Sequence, residues 1–351
     1  MTRRALPLLL VLLAGCGGAA TESAAPSAPS APSAPSASDA PQVLATGLEA
    51  PWGLDFLPDG DALVTERDRA RVLRIPAAGG EPVEVLEVAE ADPAGEGGLL
   101  GLAVSPTYDS DGRVFLYVTA ARDNRVVSFS MRDPQAGTTP VLTGIPKGTI
   151  HNGGRIAVGP DGNLYVGTGD VGERSLSQDL DSLGGKVLRM TVRGEPVGGS
   201  LVFSRGHRNV QGLAFDAQGR LWATEFGQNR FDEVNVLTAG GNYGWPEVEG
   251  AGTGGGRFTA PVTTWDTSEA SPSGAAVLGD ALYVAALRGQ RLWQVPLADP
   301  GSPTALYEGE YGRLRAAAAA PDGSLWVLTS NRDGRGDPVR EDDRVLRLAV
   351  R

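Results

Sequence analysis

The chain has 351 residues, 41% of them hydrophobic, and a formal net charge of −11. It is long enough for one large domain, and its charge argues against nucleic acid or anionic lipid surfaces as partners. A single cysteine, Cys16, excludes an intrachain disulfide, and only two histidines, His151 and His207, exclude a multi-histidine metal site.

At the N-terminus, Arg3-Arg4, an apolar run from Ala5 to Leu13 and the ending Leu13-Ala14-Gly15-Cys16 predict a lipoprotein signal over residues 1–15. The apolar run is too short to persist as a spanning helix. A chance cysteine after an ordinary signal peptide is the plainer account, but the small-small-Cys ending favours lipidation at Cys16. The mature chain is then expected outside the cytoplasmic membrane, at the periplasm or cell surface, touching the membrane only through that anchor. Residues 16–40 follow as a linker in which Ala-Pro-Ser recurs from Ala25 to Ser36. Such a tract buries no apolar surface and reads as an extended spacer.

Across residues 41–351 an apolar strand, a Pro-Asp-Gly-like turn and a second apolar strand recur six times. The turns are Pro58-Asp59-Gly60, Ser110-Asp111-Gly112, Pro160-Asp161-Gly162, Ala217-Gln218-Gly219, Leu278-Gly279-Asp280 and Pro321-Asp322-Gly323. A strand-only repeat of this period predicts an all-β fold, a six-bladed β-propeller with one blade per copy. The first strand of each copy then lines the central channel. Residues just before it share a face with residues just after the second strand.

Before the first strands stand Trp52, Glu96, His151-Asn152, Arg208-Asn209 with Gln211, and Arg313 with Arg315. After the second strands stand Glu66, Asp170, Glu225 with Gly227, and Arg288. His151 lies ten residues before Asp161 and Arg208 ten before Gln218, so the two occupy equivalent positions in neighbouring blades. Any one of these arginines is accounted for by pairing with Glu66, Glu96, Asp170 or Glu225. Four of them converging on one mouth of an acidic protein favour an anionic ligand, since the planar guanidinium suits carboxylates and phosphates.

His151 precedes Asn152-Gly153-Gly154-Arg155 and so enters a glycine-lined rim. An imidazole there suits general-base work, although a histidine bonded into a blade junction explains the residue equally well on its own. His207, beside Arg208, takes the structural role. The oxygen-rich run Thr224 to Glu233, with carbonyls at Gly227 and Gln228 and carboxylates at Asp232 and Glu233, suits Ca²⁺ or is simply a solvated loop. Two motif matches are set aside. Gly167-Thr168-Gly169-Asp170-Val171-Gly172 lacks the helix a dinucleotide fingerprint requires, and Arg335-Gly336-Asp337 lies in a polar loop.

The chain resembles the soluble sugar dehydrogenases that use pyrroloquinoline quinone (PQQ), the glucose/sorbosone dehydrogenase-like family. The likeness runs from Pro51 to about Leu348. It is carried by Pro51-Trp52-Gly53-Leu54, Gly97-Gly98-Leu99-Leu100-Gly101, His151-Asn152-Gly153-Gly154-Arg155, Gly206-His207-Arg208-Asn209-Val210-Gln211-Gly212, Asn242-Tyr243-Gly244-Trp245-Pro246 and Arg313-Leu314-Arg315. The resemblance implies oxidation of an aldose at its anomeric carbon. It makes His151 the base, Asp170 its orienting partner and Arg208 the stabiliser of developing negative charge. Glu96, Arg208, Asn209, Gln211, Arg288, Arg313 and Arg315 would hold PQQ. Ca²⁺ would rest on the Gly227 and Gln228 carbonyls, and a second Ca²⁺ on Glu233 and the Tyr243 carbonyl. A sugar and a redox acceptor are the implied partners.

The chain departs from the family pattern in places. Glu96 stands where glutamine is common, Gln228 where proline is usual, and Arg288 where a Lys-Arg pair occurs. Ile150 replaces the aspartate of glucose-oxidising members, which implies broad specificity. Two other functions fit a six-bladed propeller: a Ca²⁺-dependent lactonase, and a non-catalytic binding propeller on the envelope.

Overall fold

The computed structural model describes residues 40–348 and Val350. The signal at 1–15, Cys16 and nearly all of the spacer lie outside the described residues. Six four-stranded antiparallel sheets make up the described chain. Their inner strands are Pro51–Phe56, Leu99–Val104, Ile156–Val158, Val210–Phe215, Pro272–Leu278 and Leu314–Ala319, each touching its neighbours so that the six close into a ring. This is the expected six-bladed propeller.

Each inner strand turns directly into the second strand of its own blade, as the repeat predicts. In four blades the turn is built alike. Leu57 N–H donates to Asp61 O at 2.8 Å and Gly60 N–H to Leu57 O at 2.9 Å, and the same pair of bonds recurs at 159–163, 216–220 and 320–324. Gly60 has φ +90°, a left-handed conformation that glycine adopts without strain, which is why the Pro-Asp-Gly signature marks these hairpins. The second copy differs. Its Ser110-Asp111-Gly112 closes a single helical turn, Tyr108–Asp111.

The sixth sheet closes the ring. Its outermost strand is Gln42–Ala45, which pairs antiparallel with Val345–Leu348 from the other end of the chain. Packing is divided among six apolar clusters, one at each junction between blades. At the closing junction the Phe56 and Trp326 rings meet edge to face at 5.1 Å.

Five inner strands carry a register shift at the same place, between Pro51/Leu54, Leu99/Leu102, Val210/Gly212, Pro272/Ala275 and Leu314/Ala316. Such bulges re-aim a side chain and bend the strand. Here they turn Trp52, Gln211, Ser273 and Arg315 into one layer across the channel. Below that layer the channel opens into a cavity of about 750 Å³, walled by residues such as Leu54, Leu102, Ile156, Ala214 and Ala317.

Candidate active site

The channel layer is built from guanidinium, amide and indole groups. Arg315 Nη1 donates to Gln211 Oε1 at 3.2 Å and to Ser273 Oγ at 3.4 Å. Arg155, one residue before its inner strand, donates from Nε to Gln211 O at 2.8 Å. The Trp52 ring is shared, with Arg155 4.2 Å and Arg315 5.7 Å from its centroid. Burial pulls both guanidinium groups below their ordinary value, and Arg315 adds repulsion to Arg155.

This layer holds more donors than the protein uses. Arg155 Nη2, Arg315 Nε, Arg208 Nε and Asn209 Nδ2 are buried without a hydrogen-bond partner among the described residues. Buried donors left unpaired in this way are costly; Arg155 borders the lower cavity, whereas Arg315 lines the smaller cavity at the mouth, where such a donor matches an anionic ligand rich in acceptors. The four sequence-derived carboxylates do not absorb the arginines. Glu66 is paired with Arg71, Asp170 with His151, Glu96 with Arg335, and Glu225 with the His207 ring.

The arginines differ in availability. Arg208 donates from Nη1 to Phe226 O at 3.1 Å, stands 5.6 Å from the Trp245 ring, and is lowered by burial against offsetting carboxylates. Arg313 is committed to Asp333, with bonds of 3.2 and 2.8 Å, and Arg315 lies 3.7 Å from the same carboxylate. Arg288 is exposed and has no partner among the described residues; it directly follows Leu287, which lines a small cavity above the layer with Trp52, Gln211 and Arg315. Asn209 Oδ1 accepts from Gly153 N–H at 3.0 Å and Gln211 Nε2 at 3.2 Å.

His151 sits at the rim with φ +54°, an uncommon conformation for a residue with a side chain. Two contacts hold it there. Its N–H donates to Glu96 Oε2 at 2.9 Å, and its Nδ1 lies 2.7 Å from Asp170 Oδ1. Asp170 also accepts from Gly172 N–H at 2.9 Å and from Trp245 Nε1 at 2.8 Å. Burial alone would raise the Asp170 carboxyl, but these bonds outweigh it and hold it below the ordinary carboxylate range. An ionised Asp170 only accepts, so this network assigns the imidazole proton to Nδ1. Nε2 is left with its lone pair. His207 instead lies wholly buried between Glu225 and Ser204, stacked on Tyr243, which is the structural role expected of it.

The loop after the second strand of the fourth blade carries the candidate metal ligands. One Glu249 oxygen accepts the N–H groups of Gln228, Asn229, Arg230 and Phe231, at 2.7 to 3.2 Å. The Gly227, Gln228 and Tyr243 carbonyls accept no hydrogen bond among the described residues. Glu233 and Tyr243 border one small cavity with Glu225, Gly227 and Glu249. Burial and the nearby Glu225 charge push the Glu233 carboxyl up to about 8. No set of three or more His, Cys, Asp or Glu side chains among the described residues is arranged to hold a metal. A cation here would therefore rest mainly on carbonyls.

Several site residues have no assigned role in the sequence reading. Trp245 and Arg155 fall inside its motifs, while Arg67, Asp333 and Arg335 reach the channel from strand ends and a long loop. Gly169 is fixed by packing: a Cβ there would lie 1.8 Å from His151 O.

Fold and site together define a propeller protein with a basic hub and an imidazole poised beside it. The chain belongs to the Glucose / Sorbosone dehydrogenase family, whose model matches residues 48–341. It is 28% identical over 337 residues to aldose sugar dehydrogenase YliI of Escherichia coli, covering 84% of this chain and 90% of that one. It is 30% identical over 253 residues to quinoprotein glucose dehydrogenase B of Acinetobacter calcoaceticus, covering 60% of this chain and only 52% of that enzyme. Among solved structures, the PQQ-bound aldose sugar dehydrogenase of Streptomyces coelicolor is 52% identical with a TM-score of 0.83, covering 90% of this chain and 99% of that one. A Thermus structure described as a putative glucose dehydrogenase is 41% identical with a TM-score of 0.79, covering 88% and 99%.

Proposed function

We propose that the protein is a PQQ-dependent aldose dehydrogenase of broad specificity that oxidises the anomeric carbon to a lactone. One observation carries this reading: a His151–Asp170 dyad with a free Nε2 stands at the rim of a channel whose buried guanidinium and amide donors lack partners. Those orphaned donors fit a cofactor bearing several carboxylates and carbonyls. Arg208, Asn209, Gln211 and Arg315 would hold it, with Arg288 at the rim. PQQ, when bound, supplies the two-electron acceptor for the sugar's C1 hydride.

The chain's own residues do the rest. His151 takes the anomeric hydroxyl proton at Nε2, and Asp170 steadies the imidazolium that results. Arg208, half-freed by its unpaired Nε, would stabilise the negative charge that develops on the bound cofactor. Ile150, 40% exposed beside the base, offers the sugar no hydrogen bond, in keeping with broad specificity. The unbonded carbonyls of Gly227, Gln228 and Tyr243, with the raised Glu233, suit Ca²⁺ as a Lewis acid and as a brace. Residues 1–40 support a Cys16-linked lipid anchor outside the cytoplasmic membrane, where a separate acceptor must reoxidise the cofactor.

The test is reconstitution. Apoprotein given PQQ and Ca²⁺ should reduce a redox dye with several aldoses. PQQ bound without dye reduction by any sugar would overturn the reading.

A further inference from the structure

The loop at 331–343, read from sequence as a polar loop, reaches the channel mouth and carries a chain of alternating charges. Asp333 takes both Arg313 and Arg315 from the sixth blade. Two residues on, Arg335 N–H donates back to Asp333 Oδ1 at 3.0 Å, which fixes the loop tip. The Arg335 guanidinium then reaches Glu96 Oε1 at 3.0 Å, a partner 239 positions away. The other Glu96 oxygen accepts the His151 N–H at 2.9 Å. Glu96 and Arg335 line the same cavity as Trp52, Gln211 and Arg315.

A carboxylate in an anion-binding hub is a liability, because it repels the ligand the hub attracts. Glu96 cannot simply be discarded, since it fixes the backbone of His151. Burial would raise its carboxyl, but the His151 N–H and Arg335 hold it below the ordinary range, so it stays charged. Its charge must be answered locally.

Resting on the function proposed above, we propose that Glu96 and Arg335 act as one unit. Arg335 neutralises Glu96 at the cofactor pocket, so that Glu96 can position His151 without repelling an anionic quinone. Arg335 is a positioning residue of the pocket, and its value depends on the acid it answers.

The test is a double-mutant cycle on PQQ affinity, read by quenching of intrinsic tryptophan fluorescence in the full chain with Ca²⁺ present. Because the Arg335 side chain is 62% exposed, the coupling is discounted for solvent screening. R335Q should bind PQQ about tenfold more weakly, and E96Q, which keeps an acceptor for the His151 N–H, should bind as well as the wild type or better. E96Q/R335Q should recover to within about threefold of the wild type. The exposed position also permits a charge series that does not depend on E96Q folding, in which R335K holds affinity and R335E loses more than R335Q. A flat series, or losses that simply add in the double variant, would overturn the proposal. A wild type that binds no PQQ would instead remove the functional reading beneath it.

Discussion

Trp245 donates its indole N–H to Asp170 Oδ2 at 2.8 Å, on the carboxylate oxygen that His151 leaves free. The bond spans two blades and fixes the face of Asp170 toward the imidazole. Asp170→Asn should therefore lose more than charge. An amide presenting its NH₂ to Nδ1 would favour the opposite tautomer, and kcat should fall by roughly 10³–10⁴-fold with PQQ affinity little changed. Steady-state kinetics beside a PQQ titration separate the two effects.

The bonds to Asp170, from the His151 ring first, then Gly172 N–H and Trp245, set an acid limit. Asp170 is held below the ordinary range, so the native state releases this proton at lower pH than the unfolded chain does. Its contribution to stability is present above about pH 4 and is lost as pH falls further. Trp245→Phe keeps a ring of similar shape and removes one donor. The acid limb of the thermal-stability profile should move to higher pH in that variant, and an unmoved limb would exclude this role for Trp245.

Gly169 tests how closely the base is packed. Because a Cβ would meet His151 O at 1.8 Å, Gly169→Ala must displace the His151 backbone. A displacement near 1 Å costs about 10²-fold in rate. We expect that loss in kcat, with the thermal midpoint lowered by only a few degrees.

Arg315 separates stability from function. It is a buried cation with an unpaired Nε. Replacing a whole buried ion pair with apolar groups is often neutral or stabilising, and Arg315→Met leaves Asp333 its closer partner Arg313 at 2.8 Å. Arg315→Met should leave the apoprotein's thermal midpoint unchanged or raised while weakening PQQ binding at least about tenfold. Scanning calorimetry and a PQQ titration on the same sample measure both.

Calcium should act as a ligand of the folded state. Saturating Ca²⁺ at about 100 times its Kd stabilises by about 2.7 kcal/mol, a rise of several degrees that EDTA reverses. Glu233→Gln should shrink that rise. An unchanged midpoint with and without Ca²⁺ would remove the metal from the site.

The propeller was legible because its hairpin turns need a left-handed residue, and Gly60, Gly112, Gly162, Gly219, Gly279 and Gly323 supply one in every copy. The third and fourth strands of each blade carry no such mark. The closing strand Gln42–Ala45 pairs with Val345–Leu348 some 300 residues on, a distance that local pattern does not span. In the site, His151, Asp170, Arg208, Asn209, Gln211 and Arg315 were legible because they sit at fixed offsets from the inner strands. Arg335 and Asp333 were not, since a long loop delivers them and nothing local shows where it lands. Arg313 was legible as a position but not as an occupied one: its partner Asp333 lies on that same loop.

The most direct measurement compares the reconstituted wild type with His151→Gln, following PQQ binding and aldose-driven dye reduction together. The account predicts that the variant binds PQQ normally while its turnover falls by at least about 10³-fold, since the base alone has been removed. Turnover retained at the wild-type rate, or PQQ binding lost along with it, would contradict the assignment of His151 as the base beside a separate, guanidinium-built cofactor site.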